Sequence, residues 1–412
     1  MIERAYIHVP FYRGNSAYCP RTINSRSDLS KLPIIRKSDL REHGVQAFLA
    51  DDFSPENCVV YRTSGTTGEP VSVFHDHFSH NYHTAAGVRR LLATGHYLPT
   101  YRALHIRPAK LPKLLVERFG LFRRDIIPAW FSLDEMKARI IQECPQIIIG
   151  YPTYLRELIA VLRREEIVRI QSKLKAIFTE SELLIDEHRK LIESTFGVPV
   201  FDDYSSYESL SITFECSHHR THIVEDRLIL EIVDDSGQPL PDGEEGNVIL
   251  TPVMARAMPL IRYAIGDRGV RLSEACPCRR RFTTFKLTQG RSDDYIVLQN
   301  NVKVFNLTVL QLAAYLDGVN ECFVHQEQDG TVNFYYVPKD WSDPASHSLI
   351  EAEIRLKMKQ LASAEFPFNI IKSKRIPRGP GGKGKIIHSE FRQGRRIRPD
   401  SNETSTPPDP TN

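Results

Sequence analysis

Residues 132–150 read SLDEMKARIIQECPQIIIG, and residues 174–201 read LKAIFTESELLIDEHRKLIESTFGVPVF. Both stretches change rhythm in the same way. Ser132, with Glu135 three residues later, forms a capping box in which side chains satisfy orphan helix amides. Leu133, Met136, Ile140, Ile141 and Cys144 then recur at helical spacing. Ile147–Ile149 is a short all-apolar run, as a strand buried on both faces requires. Leu155, Leu158, Ile159 and Leu162 mark another helix, and Leu174–Phe178 another buried strand. A helix follows to Phe196, where Gly197 is placed to end it, and Val198–Phe201 is a third strand. Strands and helices alternating at this spacing predict a parallel α/β sheet.

On the N-terminal side, the first fifty or so residues are irregular apart from a predicted helix at Lys37–His43. Two β-rich runs, Val59–Tyr61 and Val71–Phe74, flank a loop of small hydroxyl residues and glycines. After Glu208 the pattern becomes antiparallel β, with Leu228–Val233 and Asn247–Val253 on either side of a polar connection. Asp293 to about Ile387 reads as a smaller α+β unit, and the tail from Arg392, rich in Arg, Pro, Ser and Thr, as disordered. The 412 residues suit two or three domains. Hydrophobic residues at 41% and charged residues at 25% exclude a wholly disordered chain. A formal charge of +3 gives no bulk-charge case for nucleic acid or a membrane surface. No apolar run approaches the roughly 20 residues of a membrane helix, and Met1–Pro10 does not read as a signal peptide. Seven mostly scattered cysteines point to a reducing compartment, and so to the cytoplasm.

Ligands of parallel sheets gather where strands end at their carboxyl edge. Thr179–Glu182 and Asp202–Glu208 sit at such ends, and the loop at 63–68 should face the same ground. In that loop Gly65 and Gly68 let the backbone approach closely, while Ser64, Thr66 and Thr67 offer hydroxyls and amides to phosphate oxygens. It is not a Walker A loop, because Glu69-Pro70 follows the last glycine.

Tyr61-Arg62-Thr63-Ser64-Gly65-Thr66-Thr67-Gly68-Glu69-Pro70 resembles the phosphate loop of the adenylate-forming enzymes, above all of the phenylacetate–CoA ligases and their relatives. Four further segments extend the resemblance in the family's order. Asp203-Tyr204-Ser205-Ser206-Tyr207-Glu208 resembles Tyr-Gly-x-Ser/Thr-Glu, and Arg262-Tyr263-Ala264-Ile265-Gly266-Asp267 resembles Arg-Tyr-x-x-Gly-Asp. Gly290-Arg291-Ser292-Asp293-Asp294 resembles the hinge, and Gly381-Gly382-Lys383-Gly384-Lys385 the catalytic-lysine loop.

The resemblance implies a large N-terminal adenylation domain at 1–290, binding ATP and the acyl group, and a small mobile α+β domain at 295–391, before a tail at 392–412. It implies that Ser64, Gly65, Thr66, Thr67 and Gly68 hold the β- and γ-phosphates, that Tyr204 stacks on the adenine and that Asp203 belongs to the ATP-binding set. Glu208 would ligate Mg²⁺, Asp267 would bind the ribose hydroxyls and Arg291 would contact the nucleotide. Lys383 would stand beside the α-phosphate and carboxylate, and Asp293 would be the hinge. The implied reaction joins a carboxylic acid to ATP, releases pyrophosphate and passes the acyl group from acyl-AMP to a thiol, CoA in the first instance. An amine or carrier protein as acceptor, and a nucleotide-binding homologue without catalysis, remain open alternatives. Neither nucleic acid nor a membrane is an expected partner, and a homodimer is the family-level expectation. Ser205, Tyr207 and Asn301 depart from the family pattern, the first two beside the acyl and nucleotide pocket.

A second constellation is Cys216, His222, Cys276 and Cys278, three thiols and an imidazole that can complete a tetrahedral structural zinc site. His218 and His219 are alternative ligands. The run His75, His77, His80 and His83 does not have recognised metal spacing and reads as solvated or hydrogen-bonded histidines. Tyr151-Pro152-Thr153-Tyr154 reads equally as acyl pocket or as core. The clusters Arg279–Arg281 and Arg392–Arg398 read as the binder of a CoA phosphate or as a solvated face.

Overall fold

The structure, a computed structural model, describes residues 1–62, 71–107, 115–128, 131–289, 295–298, 303–305, 309, 316, 318–362, 367–377 and 386–391. The phosphate-loop residues Ser64–Gly68, and Arg291, Asp293, Asn301, Lys383 and the tail, lie outside the described residues.

The alternating segment forms a parallel sheet of five strands, in the order Arg124–Pro128, Ala103–Arg107, Ile147–Gly150, Ala176–Glu180 and Val200–Asp203. Ile147, Ile148 and Ile149 are all buried because the sheet is covered on both sides. On one face Met136, Ile140, Leu155, Leu158, Ile192 and Phe196 pack on Leu104, Ile106, Ile148 and Ile177. On the other, Ile147, Ile149, Phe178 and Phe201 meet Tyr97. Each such fully buried aliphatic side chain contributes about 1.5–3 kcal/mol relative to exposure. The helix Leu133–Glu143 starts with the anticipated box: the Ser132 amide donates to Glu135 at 2.8 Å and the Glu135 amide to Ser132 Oγ at 3.3 Å. Cys144 ends this helix in a left-handed conformation instead of extending it, and Gly197 ends Asp186–Phe196 at φ 66°.

Two of the five parallel strands were not apparent in the sequence. Ala103–Arg107 carries His105, which is buried, and Arg124–Pro128 opens on two charged residues, so neither shows a continuous apolar run. The helix Ile2–His8 also lies within the stretch read as irregular. The segment earns its place by packing: Tyr12, Leu29, Ile35, Leu40 and Phe48 form one core with Leu260, Ile261 and Tyr263.

Beside the parallel sheet stands a six-stranded antiparallel one, in the order Thr213–Glu215, Thr221–Ile223, Thr284–Gln289, Tyr263–Leu272, Glu245–Pro252 and Leu228–Val233. The strands Cys58–Arg62 and Ser72–Asp76 form the expected antiparallel pair around the loop. Toward the C-terminus, Phe368–Lys372, Val332–Pro338, Val319–Gln326 and Ile387–Ser389 make a mixed four-stranded sheet. The helix Pro344–Ala362 supplies Ile350, Ile354 and Met358 to a separate core with Val324, Phe334 and Tyr336. This is the α+β unit expected from the sequence.

The N-terminal segment is fastened to the antiparallel sheet by Arg262, which is 2% exposed. Its guanidinium donates to the backbone oxygens of Ser30 at 2.9 Å, Leu32 at 2.7 Å and Gly237 at 3.0 Å, and to Glu231 at 3.2 Å. Removing one partner of a buried ion pair costs about 3–5 kcal/mol, because the other is left uncompensated. Arg262→Ala should therefore lower unfolding stability by about that amount in urea titration. A loss below about 1 kcal/mol would show that the clamp is not structural.

Candidate functional site

Four polar side chains stand at the carboxyl edge of the parallel sheet: Arg107, Tyr151, Glu180 and Asp203 each end or immediately follow a strand. The chain then turns through Tyr204–Glu208, which places this segment over the edge. Asp203 is buried and paired with Arg90, whose guanidinium also lies 3.7 Å from Glu180. Among the described residues, Asp203 Oδ1 is buried without a partner at hydrogen-bond geometry. Arg90 comes from the helix His77–Ala93. Nothing in the sequence marked it, because a single arginine on a helix carries no motif.

Tyr204 and Asp267, 63 residues apart, are brought together: Tyr204 Oη donates to Asp267 Oδ2 at 2.5 Å. A bulge is responsible. Asn247 pairs with Arg268 and Ile249 with Ala264, so Ile265, Gly266 and Asp267 stand out of the ladder. Gly266 has φ 89°, a conformation that favours glycine. The Tyr204 ring lies parallel to Phe285, with centroids 5.8 Å apart. Glu208 accepts a hydrogen bond from Tyr263 Oη at 3.2 Å, so the two expected motifs meet at a second point. Tyr207 stacks on Tyr61 at 5.3 Å, and its carbonyl is 2.8 Å from His75 Nε2. Tyr207 thus faces the strand Cys58–Arg62.

The remaining candidates separate. His75 and His83 are buried, and burial lowers the basicity of both; His83 pairs with Arg227. His80 Nε2 is 3.0 Å from Tyr61 Oη, and His77 is exposed. The run is therefore hydrogen-bonded or solvated, as expected. Tyr151 and Tyr154 are both buried in the apolar core beneath the sheet edge, stacked at 5.6 Å. Thr153 donates from its amide and hydroxyl to Glu182, at 3.1 and 2.6 Å, at the start of the helix Pro152–Val161.

Cys216, His222, Cys276 and Cys278 converge, with their ligand atoms all within 4.8 Å of one another. Cys216 Sγ is 3.6 Å from Cys276 Sγ, and Cys278 Sγ is 3.3 Å from His222 Nε2. Tetrahedral zinc with metal–sulfur bonds of about 2.3 Å separates sulfurs by roughly 3.8 Å, so the spacing fits. His222 Nδ1 lies 3.0 Å from the Phe282 carbonyl, which orients the ring with Nε2 toward the thiols. His219 instead stacks on Phe201 at 5.0 Å and neighbours Glu215.

No family model matches the chain. The phenylacetate–coenzyme A ligase of Thermus thermophilus is 26% identical over 420 residues, covering 93% of this chain and 92% of its own. That of Pseudomonas putida is 27% identical over 375 residues, covering 88% and 84%. Among solved structures, a 2-hydroxyisobutyryl-CoA ligase in the postadenylation state matches with a TM-score of 0.76 at 19% identity, over 95% of this chain and 87% of that one. The chain has the fold of the adenylate-forming CoA ligases. Within that fold, its sequence resembles the phenylacetate–CoA ligases.

Below the site, Asp202 accepts from Thr179 Oγ1 at 2.5 Å. Desolvation, then the neighbouring Glu215, raises Asp202 to about 7; desolvation raises Asp203 to about 6, opposed by Arg90. Both hold protons in the native state where an unfolded aspartate, near 3.8, has lost them. Their stabilising contribution is complete below about pH 4 and is lost as pH rises through about 6 to 7. Asp202→Asn should flatten the fall in urea midpoint between about pH 4 and 7. An unchanged slope would assign the titration to other groups.

Proposed function

We propose that this chain is an ATP-dependent, AMP-forming ligase that converts a carboxylic acid to an acyl-adenylate and transfers the acyl group to CoA. The juxtaposition of Tyr204 with Asp267, and of Glu208 with Tyr263, at the edge of the parallel sheet carries the proposal. The phenylacetate–CoA ligases matched along most of their length support it. Asp203 Oδ1 is a buried acceptor without a partner at hydrogen-bond geometry among the described residues, which suits a donor group of the nucleotide. The Asp267 carboxylate suits a pair of ribose hydroxyls. Glu208 offers the hard oxygen that Mg²⁺ prefers and would hold the ion, whose charge would offset that of the phosphates.

The loop Ser64–Gly68 would bind the terminal phosphates, Arg291 the nucleotide, and Lys383 the reacting carboxylate and α-phosphate. We place the large domain at 1–290 and the mobile domain at 295–391, with Asp293 as the hinge between them. The Cys216, His222, Cys276 and Cys278 quartet would hold one structural zinc, because four protein ligands leave no open position for a substrate. A cytoplasmic homodimer completes the proposal, on cysteine usage and family resemblance.

Screening carboxylic acids for acid-dependent pyrophosphate release, with and without CoA, tests the reading. Release that needs acid and yields a CoA thioester is expected, whereas ATP binding without release would reduce the protein to a nucleotide binder. Amide formation from an amine, with CoA inert, would favour the other acceptor. Lys383→Ala should abolish adenylation with folding intact; adenylation at the wild-type rate would remove the lysine from its role. Purified protein should carry close to one zinc, and less than about half an equivalent would leave the quartet as free thiols.

A further inference from the structure

The small sheet holds a second cluster of metal-type ligands, far along the chain from the cysteine quartet. The strands Val319–Gln326 and Ile387–Ser389 run parallel, with His325 opposite His388. Their rings stack with centroids 5.3 Å apart and 10° between planes. Side chains two positions apart share a strand face, so Glu327 and Glu390 follow the two histidines on the same side. The Glu390 amide donates to the Gln326 carbonyl at 2.8 Å, which continues the pairing. Glu390 Oε1 then lies 3.2 Å from His325 Nε2 and 3.7 Å from His388 Nε2. Glu327 Oε1 lies 3.7 Å from His325 Nδ1.

One ligand atom from each of His325, His388 and Glu390 lies within 4.8 Å of the other two. A tetrahedral ion with bonds of about 2.0–2.2 Å needs ligand atoms roughly 3.4 Å apart, a spacing these side chains reach when the two imidazoles turn out of their parallel stack. The side chains are 19%, 38% and 38% exposed, which leaves the cluster open to solvent ions. The charge around Glu390 also favours a cation. Glu390 and Glu327 also line an open cleft of about 590 Å³ that contains Asp329 and, among the described residues, has no lysine or arginine in its lining. Two imidazoles and a carboxylate form a borderline donor set, which selects zinc, cobalt or nickel over magnesium or calcium.

We propose that His325, His388 and Glu390 form a divalent transition-metal site, with Glu327 beside it and at least one coordination position left to water. The ion would join the strand Ile387–Ser389 to the centre of the small sheet, directly after the segment that contains Lys383. The site does not depend on the proposed ligase activity, and its test does not use that activity.

The test is cobalt binding to the full-length chain, first saturated with zinc and then freed of excess by dialysis in competition with a weak chelator, followed by visible absorption and metal counting. One equivalent of Co²⁺ should bind below about 100 μM, with visible d–d bands and no thiolate charge-transfer band. His325→Gln/His388→Gln should lose that equivalent while keeping the wild-type circular dichroism. Glu390→Gln, the milder change, should weaken binding roughly tenfold or more. Equal cobalt binding by wild type and Glu390→Gln, or wild-type cobalt bound only through thiolate, would overturn the site. So would no binding by wild type at about 1 mM, which would leave the cluster as histidine–glutamate ion pairs.

Discussion

The guanidinium of Arg262 makes four hydrogen bonds in a volume closed to water, three to backbone oxygens and one to Glu231. Such a group tolerates burial only when its donors are matched, so Ser30, Leu32 and Gly237 are each committed to one position. That commitment sets the path of the N-terminal segment, whose own helices and turns are too short to hold it. It also fixes the next residue, Tyr263, whose hydroxyl reaches Glu208. Arg262 itself has φ 52°, an uncommon conformation for a side chain of this size, which the surrounding bonds maintain. This motif arginine thus holds the architecture, and its neighbours Tyr263 and Asp267 carry polar groups of the site.

The alternation at 132–201 was legible because strands buried on both faces must be apolar and the intervening helices are amphipathic. Ala103–Arg107 was hidden because a buried histidine interrupts the run, and a polar letter does not reveal that its residue is inside. The helix Ile2–His8 was hidden because its stability comes from the core it joins, through Ala5 and the nearby Val9. In the site, Tyr204, Glu208 and Asp267 were legible as types within motifs. Their contacts were not, since the Tyr204–Asp267 bond depends on a bulge and a left-handed glycine. Arg90 was illegible for the same reason in stronger form: its role exists only through the partner the fold supplies.

The cysteine quartet shows the opposite case. Thiol and imidazole are rare enough, and their joint chemistry narrow enough, that composition nearly specifies proximity. Thr213–Glu215 and Thr221–Ile223 pair in a hairpin, with Cys216 just past the first strand and His222 on the second, and the Cys276–Cys278 turn arrives from the adjoining connection before Thr284–Gln289. The His325, His388 and Glu390 cluster went unread because its members come from a β-pairing across more than sixty residues, without the short spacing that draws attention to metal ligands.

That pairing also bears on how the protein is made. The hairpin Val319–Gln326 and Val332–Pro338 is complete early, but each of its outer edges is covered by a parallel strand, one from 368–372 and one from 387–389. Parallel strands cannot be supplied by a tight turn, so both edges wait for distant chain. During synthesis the Val319–Gln326 edge stays open until residue 389 has left the ribosome, with its amides and carbonyls available to any other strand. A chain cut short before Ile387 would keep that edge permanently open and would be lost to aggregation before any question of catalysis arose.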